Sequence, residues 1–193
     1  MRIGHPDVIA ELAEVLVEQA AERGDEVFLH FEDRTVGFDE LNRSLNRVAN
    51  GLAAMGVGSG SGVAIVMGNS PEWLAVYFAT QKLGAYAVPV NVALKGEGLR
   101  YVIDHSDSVV VVVDPARADA VSAVADGTPQ VTNVVVDTTE APEGWAHPED
   151  WSTLAEVMDA PDTEPAATID PEAISAIMYS SGTTGAPKGV VTR

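Results

Sequence analysis

Twelve residues close to the C-terminal end, Tyr179-Ser180-Ser181-Gly182-Thr183-Thr184-Gly185-Ala186-Pro187-Lys188-Gly189-Val190, carry the densest chemistry in the chain. The apolar run Ile174-Ser175-Ala176-Ile177-Met178 precedes them. A short buried strand is therefore predicted to deliver the backbone into a loop of small and hydroxylated residues. Such a loop suits an anion with several oxygens. Gly182 and Gly185 let the main chain approach closely, so that successive N–H groups converge on one phosphate. Ser180, Ser181, Thr183 and Thr184 add hydroxyl donors. Lys188 adds a compact charge able to reach the outer phosphates. A hydrogen bond to a charged oxygen contributes roughly 1.5–3 kcal/mol net, so four or five would retain a triphosphate tail.

Neighbouring chemistries fail on spacing. A Walker A loop requires G-x-x-x-x-G-K-[ST]; counted from Gly182, Pro187 stands where its second glycine belongs and Gly189 where its metal-binding hydroxyl belongs. Gly56-Val57-Gly58-Ser59-Gly60 follows a helical pattern and precedes a strand, the reverse of a dinucleotide fingerprint. His5, His30, His105 and His147 share no metal-ligand spacing, so no metal site is predicted. No base is tied by sequence to Ser181, and the carboxylates are spread as a solvated coat.

The elements that would position the loop alternate between helix and strand. Pro6 to Arg23 reads as a helix stopped by Gly24, and Val27–Phe31 with Thr35-Val36 as a small hairpin whose turn lacks glycine. Phe38, Leu41, Leu45, Val48, Leu52 and Met55 form one apolar stripe, which predicts a core-packing helix over 38–55, with Asn42, Arg43, Asn46, Arg47 and Asn50 on its other faces. Val63–Met67 is a buried strand. Ser70 caps the next helix and Pro71 opens it; Trp73, Leu74, Tyr77, Phe78 and Leu83 are expected to pack it, and Gly84 to end it. Ala85–Asn91 is a strand that Pro89 either ends or places at an edge. Helix is predicted over 96–106, and strand over 108–114, where five valines in a row indicate cover on both faces. Helix 115–125 and strand 130–136 follow. Residues 137–150 and 160–171 are acidic, proline-bearing linkers around one short helix, 151–158, whose Trp151 rests on the main body. The alternation predicts an α/β fold, a largely parallel sheet flanked by helices, without internal repeats.

Composition agrees. A chain of 193 residues with 46% hydrophobic side chains can bury about 70% of its unfolded surface, enough for a real core. A net charge of −18 disfavours nucleic acid, which is bound at lysine and arginine clusters that this chain lacks. The absence of cysteine removes disulfides, thiolate metal sites and a cysteine nucleophile. No signal-peptide core follows Met1, and no apolar stretch approaches membrane-spanning length, so the expected location is cytoplasmic.

The loop closely resembles the signature loop of the adenylate-forming superfamily, which includes acyl- and aryl-CoA synthetases, peptide-synthetase adenylation domains and beetle luciferase. The likeness recurs in Leu45-Asn46-Arg47-Val48-Ala49, Asn69-Ser70-Pro71-Glu72-Trp73, Gln81-Lys82-Leu83-Gly84-Ala85 and Pro89-Val90-Asn91, across nearly the whole chain. Pro89-Val90-Asn91, followed by Leu99, Tyr101-Val102-Ile103 and His105-Ser106, is more similar to CoA synthetases than to peptide-synthetase domains, which commonly carry aspartate where Asn91 stands. The resemblance implies an ATP-dependent acyl-CoA synthetase. A carboxylic acid attacks the α-phosphorus of Mg-ATP, releasing pyrophosphate; coenzyme A then displaces AMP. It assigns the β- and γ-phosphates to Ser181, Gly182, Thr183, Thr184 and Gly185, places Ser180 with them in the nucleotide-binding set, and gives Lys188 a catalytic, charge-screening role. At ~4 Å and an effective dielectric of 20 that lysine contributes at most ~4 kcal/mol. The Mg²⁺ ligand, the ribose-binding aspartate, the acyl pocket and a further lysine are implied downstream. Residues 1–193 then form the incomplete N-terminal portion of the AMP-binding domain, cut from a longer parent chain and expected to be inactive in isolation. Two alternatives remain: a peptide-synthetase-type adenylation domain, and a non-catalytic nucleotide-binding or scaffolding remnant.

Overall fold

The computed structural model describes residues 8–170, 172–180 and 187–193. Its centre is a seven-stranded sheet built from β3 (Gly62–Val66), β4 (Tyr86–Pro89), β5 (Ser108–Val113), β6 (Asn133–Val136), β7 (Ser152–Thr153), β8 (Ala176–Ser180) and β9 (Lys188–Thr192). The strand order is β7-β6-β5-β3-β4-β8-β9, and every pairing but β8 with β9 is parallel. Parallel strands require crossovers, and the apolar runs of β3 and β5 require cover on both faces. Helices supply both.

One face carries α1 (Val8–Arg23), α2 (Phe38–Ala54), α3 (Pro71–Lys82) and α6 (Leu154–Val157), packed on Val63, Ile65, Ala87, Val110, Val112 and Val135. The other carries α4 (Gly96–His105) and α5 (Ala118–Ser122), packed on Ala64, Val66, Val88, Val111, Val113 and Val136. Alternate residues of the valine run thus enter opposite cores, as the two-residue period of a strand dictates. Beside them lies the two-stranded hairpin of β1 (Val27–Phe31) and β2 (Arg34–Gly37), in which Glu32 takes a φ of 49° where a glycine would ordinarily serve.

The α2 stripe packs as predicted: Leu41, Leu45, Val48 and Leu52 are buried. Ser70 caps α3 by accepting from the Trp73 N–H at 3.0 Å, with Pro71 opening the helix. Several elements differ. In α3 Trp73, Tyr77 and Phe78 pack against the core half-buried and Leu83 is buried, as expected, but Ala75, Val76 and Ala79 are buried more deeply than the aromatics. Pro89 ends β4, an interior strand between β3 and β8, so the edge alternative does not hold. The helix expected over 115–125 breaks into a 3₁₀ turn, α5 and a second 3₁₀ turn, with Ala118, Val121 and Val124 facing the core. The strand expected from Gln130 begins at Asn133, because the Gln130 amide donates to Asp104 of α4 at 3.0 Å. Segment 151–158 opens with the short strand β7 before Thr153 and Glu156 form a capping box on α6; Trp151 is buried against the body as expected.

Candidate functional site

Residues 181–186, including the predicted phosphate ligands Ser181, Gly182, Thr183, Thr184 and Gly185, lie outside the described residues. What the structure gives is the stem that holds them. Ser180 closes β8, Lys188 opens β9, and the two are cross-strand partners in an antiparallel ladder running down to Ala176 and Thr192. Opposite residues of such a ladder present their side chains on the same face. Ser180 and Lys188 therefore stand side by side at the mouth of the loop, both exposed. The strand ahead of the loop was expected to be buried. Instead only Ala176 of β8 is fully covered, and among the described residues no helix lies over Met178 and its partner Val190, which are 48% and 55% exposed.

The opposite face of the stem is anchored. Tyr179 lies against α4, its Oη 2.8 Å from His105 Nδ1 and its ring edge-on to the imidazole at 5.8 Å. Burial first, then the nearby Tyr101, Tyr86 and Asp107, pushes the Tyr179 phenol up to about 12. Its cross-strand partner is Gly189, one of the two residues that depart from the Walker pattern. A Cβ there would sit 3.3 Å from the Tyr179 ring and 3.0 Å from Ile177, so the glycine gives the aromatic ring room over β9.

A second concavity, of about 240 Å³, opens at the carboxyl ends of β3, β5 and β6, lined by Gly68, Asn69, Glu72, Asp114, Arg117, Asp137 and Trp145 among others. It sits where strand order reverses, the usual ligand crevice of open α/β sheets. Four carboxylates, Glu72, Asp114, Asp137 and Glu140, line it against Arg117 alone. Arg117 is itself paired to Asp114 at 2.6 Å. Arg34 also pairs with Glu72 at 2.7 Å, so the lining is anionic in balance, whereas the hairpin mouth presents Lys188.

Comparison with known proteins follows the same line. The family model described as AMP-binding enzyme matches residues 16–193. The chain belongs to that AMP-binding family. Within it, the medium/long-chain-fatty-acid–CoA ligase FadD6 of Mycobacterium tuberculosis is 33% identical over 98% of this chain. The 3-hydroxybenzoate–CoA ligase of an Aromatoleum species is 38% identical over 82%. The chain spans about 30% of the length of these relatives and corresponds to their N-terminal part. Among solved structures, anthranilate CoA ligase AuaEII in complex with anthranoyl-AMP is similar at a TM-score of 0.84, with 28% identity over 93% of this chain and 34% of that one. The N-terminal domain of FACL13 from M. tuberculosis gives 0.80 and 31% over 94% of this chain and 44% of that one. No helix among the described residues is long and apolar enough to cross a membrane.

Two family motifs acquire contacts that sequence reasoning missed. Lys82, with only 2% of its side chain exposed, donates at 2.7 Å each to Asn42 Oδ1, Asn46 Oδ1 and Glu164 Oε2. Asn42 and Asn46 donate in turn to Glu164 Oε1 at 2.9 Å, and Asn50 to the carbonyls of Pro161 and Thr163 at 2.8 Å. Burial pushes the Lys82 ammonium down while Glu164 opposes it. For Glu164, burial acts upward, but the hydrogen bonds from Lys82, Asn46 and Asn42 prevail and hold the carboxyl below its ordinary value. Spacing of four along α2 could have revealed the asparagine row; its partner in the linker could not be read. Asn91 is exposed and accepts from the Ala93 N–H at 2.9 Å, a local turn that aspartate makes equally well. Its identity therefore carries no physical preference between CoA synthetases and peptide-synthetase domains.

Proposed function

We propose that residues 1–193 are the N-terminal portion of the AMP-binding domain of a cytoplasmic, ATP-dependent CoA ligase. In this reading a carboxylate displaces pyrophosphate from ATP to form an acyl-adenylate, and the thiol of coenzyme A displaces AMP to form the thioester. The observation that carries it is the pairing of Ser180 with Lys188 across the stem of the glycine- and threonine-rich loop. A hydroxyl and an ammonium on one exposed face fit the oxygens of a phosphate. There Lys188 offsets the charge that grows on the departing pyrophosphate, and the loop residues Ser181, Gly182, Thr183, Thr184 and Gly185 donate to the same oxygens. The names of the relatives, which span fatty acids, hydroxybenzoate and anthranilate, support a carboxylic acid substrate of acyl or aryl type.

Mg²⁺ would supply Lewis-acid neutralisation of the same phosphates. No group of three His, Asp or Glu side chains suited to a metal occurs among the described residues. Its ligands, and the groups that bind ribose, acid and coenzyme A, are assigned to the remaining length of the relatives. The test is carboxylate-dependent ATP–pyrophosphate exchange by the full natural polypeptide carrying this chain. Exchange is expected with an acyl or aryl acid and CoA-dependent AMP release thereafter; absence of exchange across both acid classes would sink the reading.

A further inference from the structure

The β8–β9 stem is joined to the rest of the sheet by little backbone. Its register with β4 rests on the single pair Ala87 and Ala176, where the Ala87 N–H donates to the Ser175 carbonyl at 3.0 Å. One rung is a weak axial stop for a five-residue strand, since sliding by one two-residue repeat would carry Ser180 and Lys188 about 7 Å along the strand. Side chains from the last turn of α3 reinforce it. Gln81, 1% exposed, donates its amide to the same Ser175 carbonyl at 3.0 Å. Lys82, the next residue, holds Glu164, and through it the segment that leads into β8. Ser175 then fixes the far end of β9, its N–H donating to the Thr192 carbonyl at 2.8 Å.

We propose that Gln81 and Lys82 are positioning residues for the phosphate loop: two adjacent side chains grip residues 164 and 175, set the axial position of β8, and so set where Lys188 meets the nucleotide. Asn42 and Asn46 complete the grip by orienting both Lys82 and Glu164. The grip stands about 17 Å from the loop mouth, five strand residues away, so none of these groups touches the nucleotide. The proposal rests on the reading that the loop binds ATP.

The full natural polypeptide is compared with its Lys82→Met, Glu164→Ala and Glu164→Gln variants. Glu164 is half-exposed, so its replacement leaves the fold intact even if Lys82→Met does not. Amide hydrogen exchange and the kinetics of pyrophosphate exchange are both measured. In Lys82→Met and Glu164→Ala, protection of residues 176–180 and 188–192 is expected to fall about tenfold, with β3 and β5 unchanged. kcat/KM for ATP is expected to fall about tenfold while KM for the acid stays constant, since a small misplacement costs rate at a distance. Glu164→Gln, which keeps acceptor and shape, should recover most of both. Protection lost equally from β3, β5 and the stem, or an ATP kcat/KM unchanged in an active wild type, overturns the proposal. A wild type without exchange activity sinks the functional reading instead, and the hydrogen-exchange arm still decides whether α3 holds the stem.

Discussion

Tyr179 Oη lies 2.8 Å from His105 Nδ1, tying strand β8 to the last turn of α4 across 74 positions of sequence. Burial of this phenol makes the β8–β9 stem sensitive to alkali. The Tyr179 phenol is raised from an ordinary value of 10.0 to about 12, so between those pH values the folded chain keeps a proton that the unfolded chain has released. Its contribution to stability is complete below pH 10 and is lost as pH climbs through 12. Tyr179→Phe should flatten the decline in stability over that window, as followed by urea unfolding at successive pH values. A decline as steep as in the wild type would show that the phenol is not responsible.

Lys188→Ala in the full natural polypeptide should slow adenylation on the order of a hundredfold, comparable to removing one transition-state donor. Lys188 is exposed at the start of β9, so stability should change by less than about 0.5 kcal/mol. Pyrophosphate-exchange rates and a thermal melt separate the two effects. A large drop in melting temperature would make the lysine a structural prop.

Gly51 sits inside α2, where alanine would ordinarily gain about 1 kcal/mol. A Cβ at Gly51, however, would overlap the Val157 carbonyl oxygen and approach its Cγ1 at 2.6 Å. Backbone of α6 must then move, an overpacking cost of about 1–3 kcal/mol that exceeds the propensity gain. Gly51→Ala should therefore lower the melting temperature; a higher one would mean that α6 yields freely.

Gly189→Val should act on the stem in the same manner. A side chain there meets the Tyr179 ring at 3.3 Å and must displace it from His105. Loss of the Tyr179 alkaline effect in this variant, without any change at Tyr179 itself, is the expected signature in the same unfolding series.

Much of this architecture was legible because its causes are local. The α2 stripe, the Ser70 cap with Pro71, and the valine run of β5 each state their period or their terminus within a few residues. Strand β9 was not foreseen, because Lys188-Gly189-Val190-Val191-Thr192 forms a ladder only once β8 offers its free side. The inward face of α3 was legible only in part: Trp73, Tyr77 and Phe78 do pack on the core, but the strands beneath it admit small Ala75 and Ala79 more deeply than these aromatics. Asn42, Asn46 and Asn50 look like a solvated face until Glu164, 82 positions beyond Lys82, arrives between them. The loop was conspicuous from its composition; what aims it depends on contacts distant in sequence.

Strand β9 ends the strand order, and Val190 and Val191 on it are about half exposed. An outer rim of that kind is a template on which another polypeptide can add a rung. A net charge of −18 keeps identical molecules apart in dilute buffer, but added electrolyte shortens the reach of that repulsion. Among the described residues β9 thus keeps one side of its backbone for pairing with a further strand, and the charge repulsion opposing a second copy there weakens as salt is added.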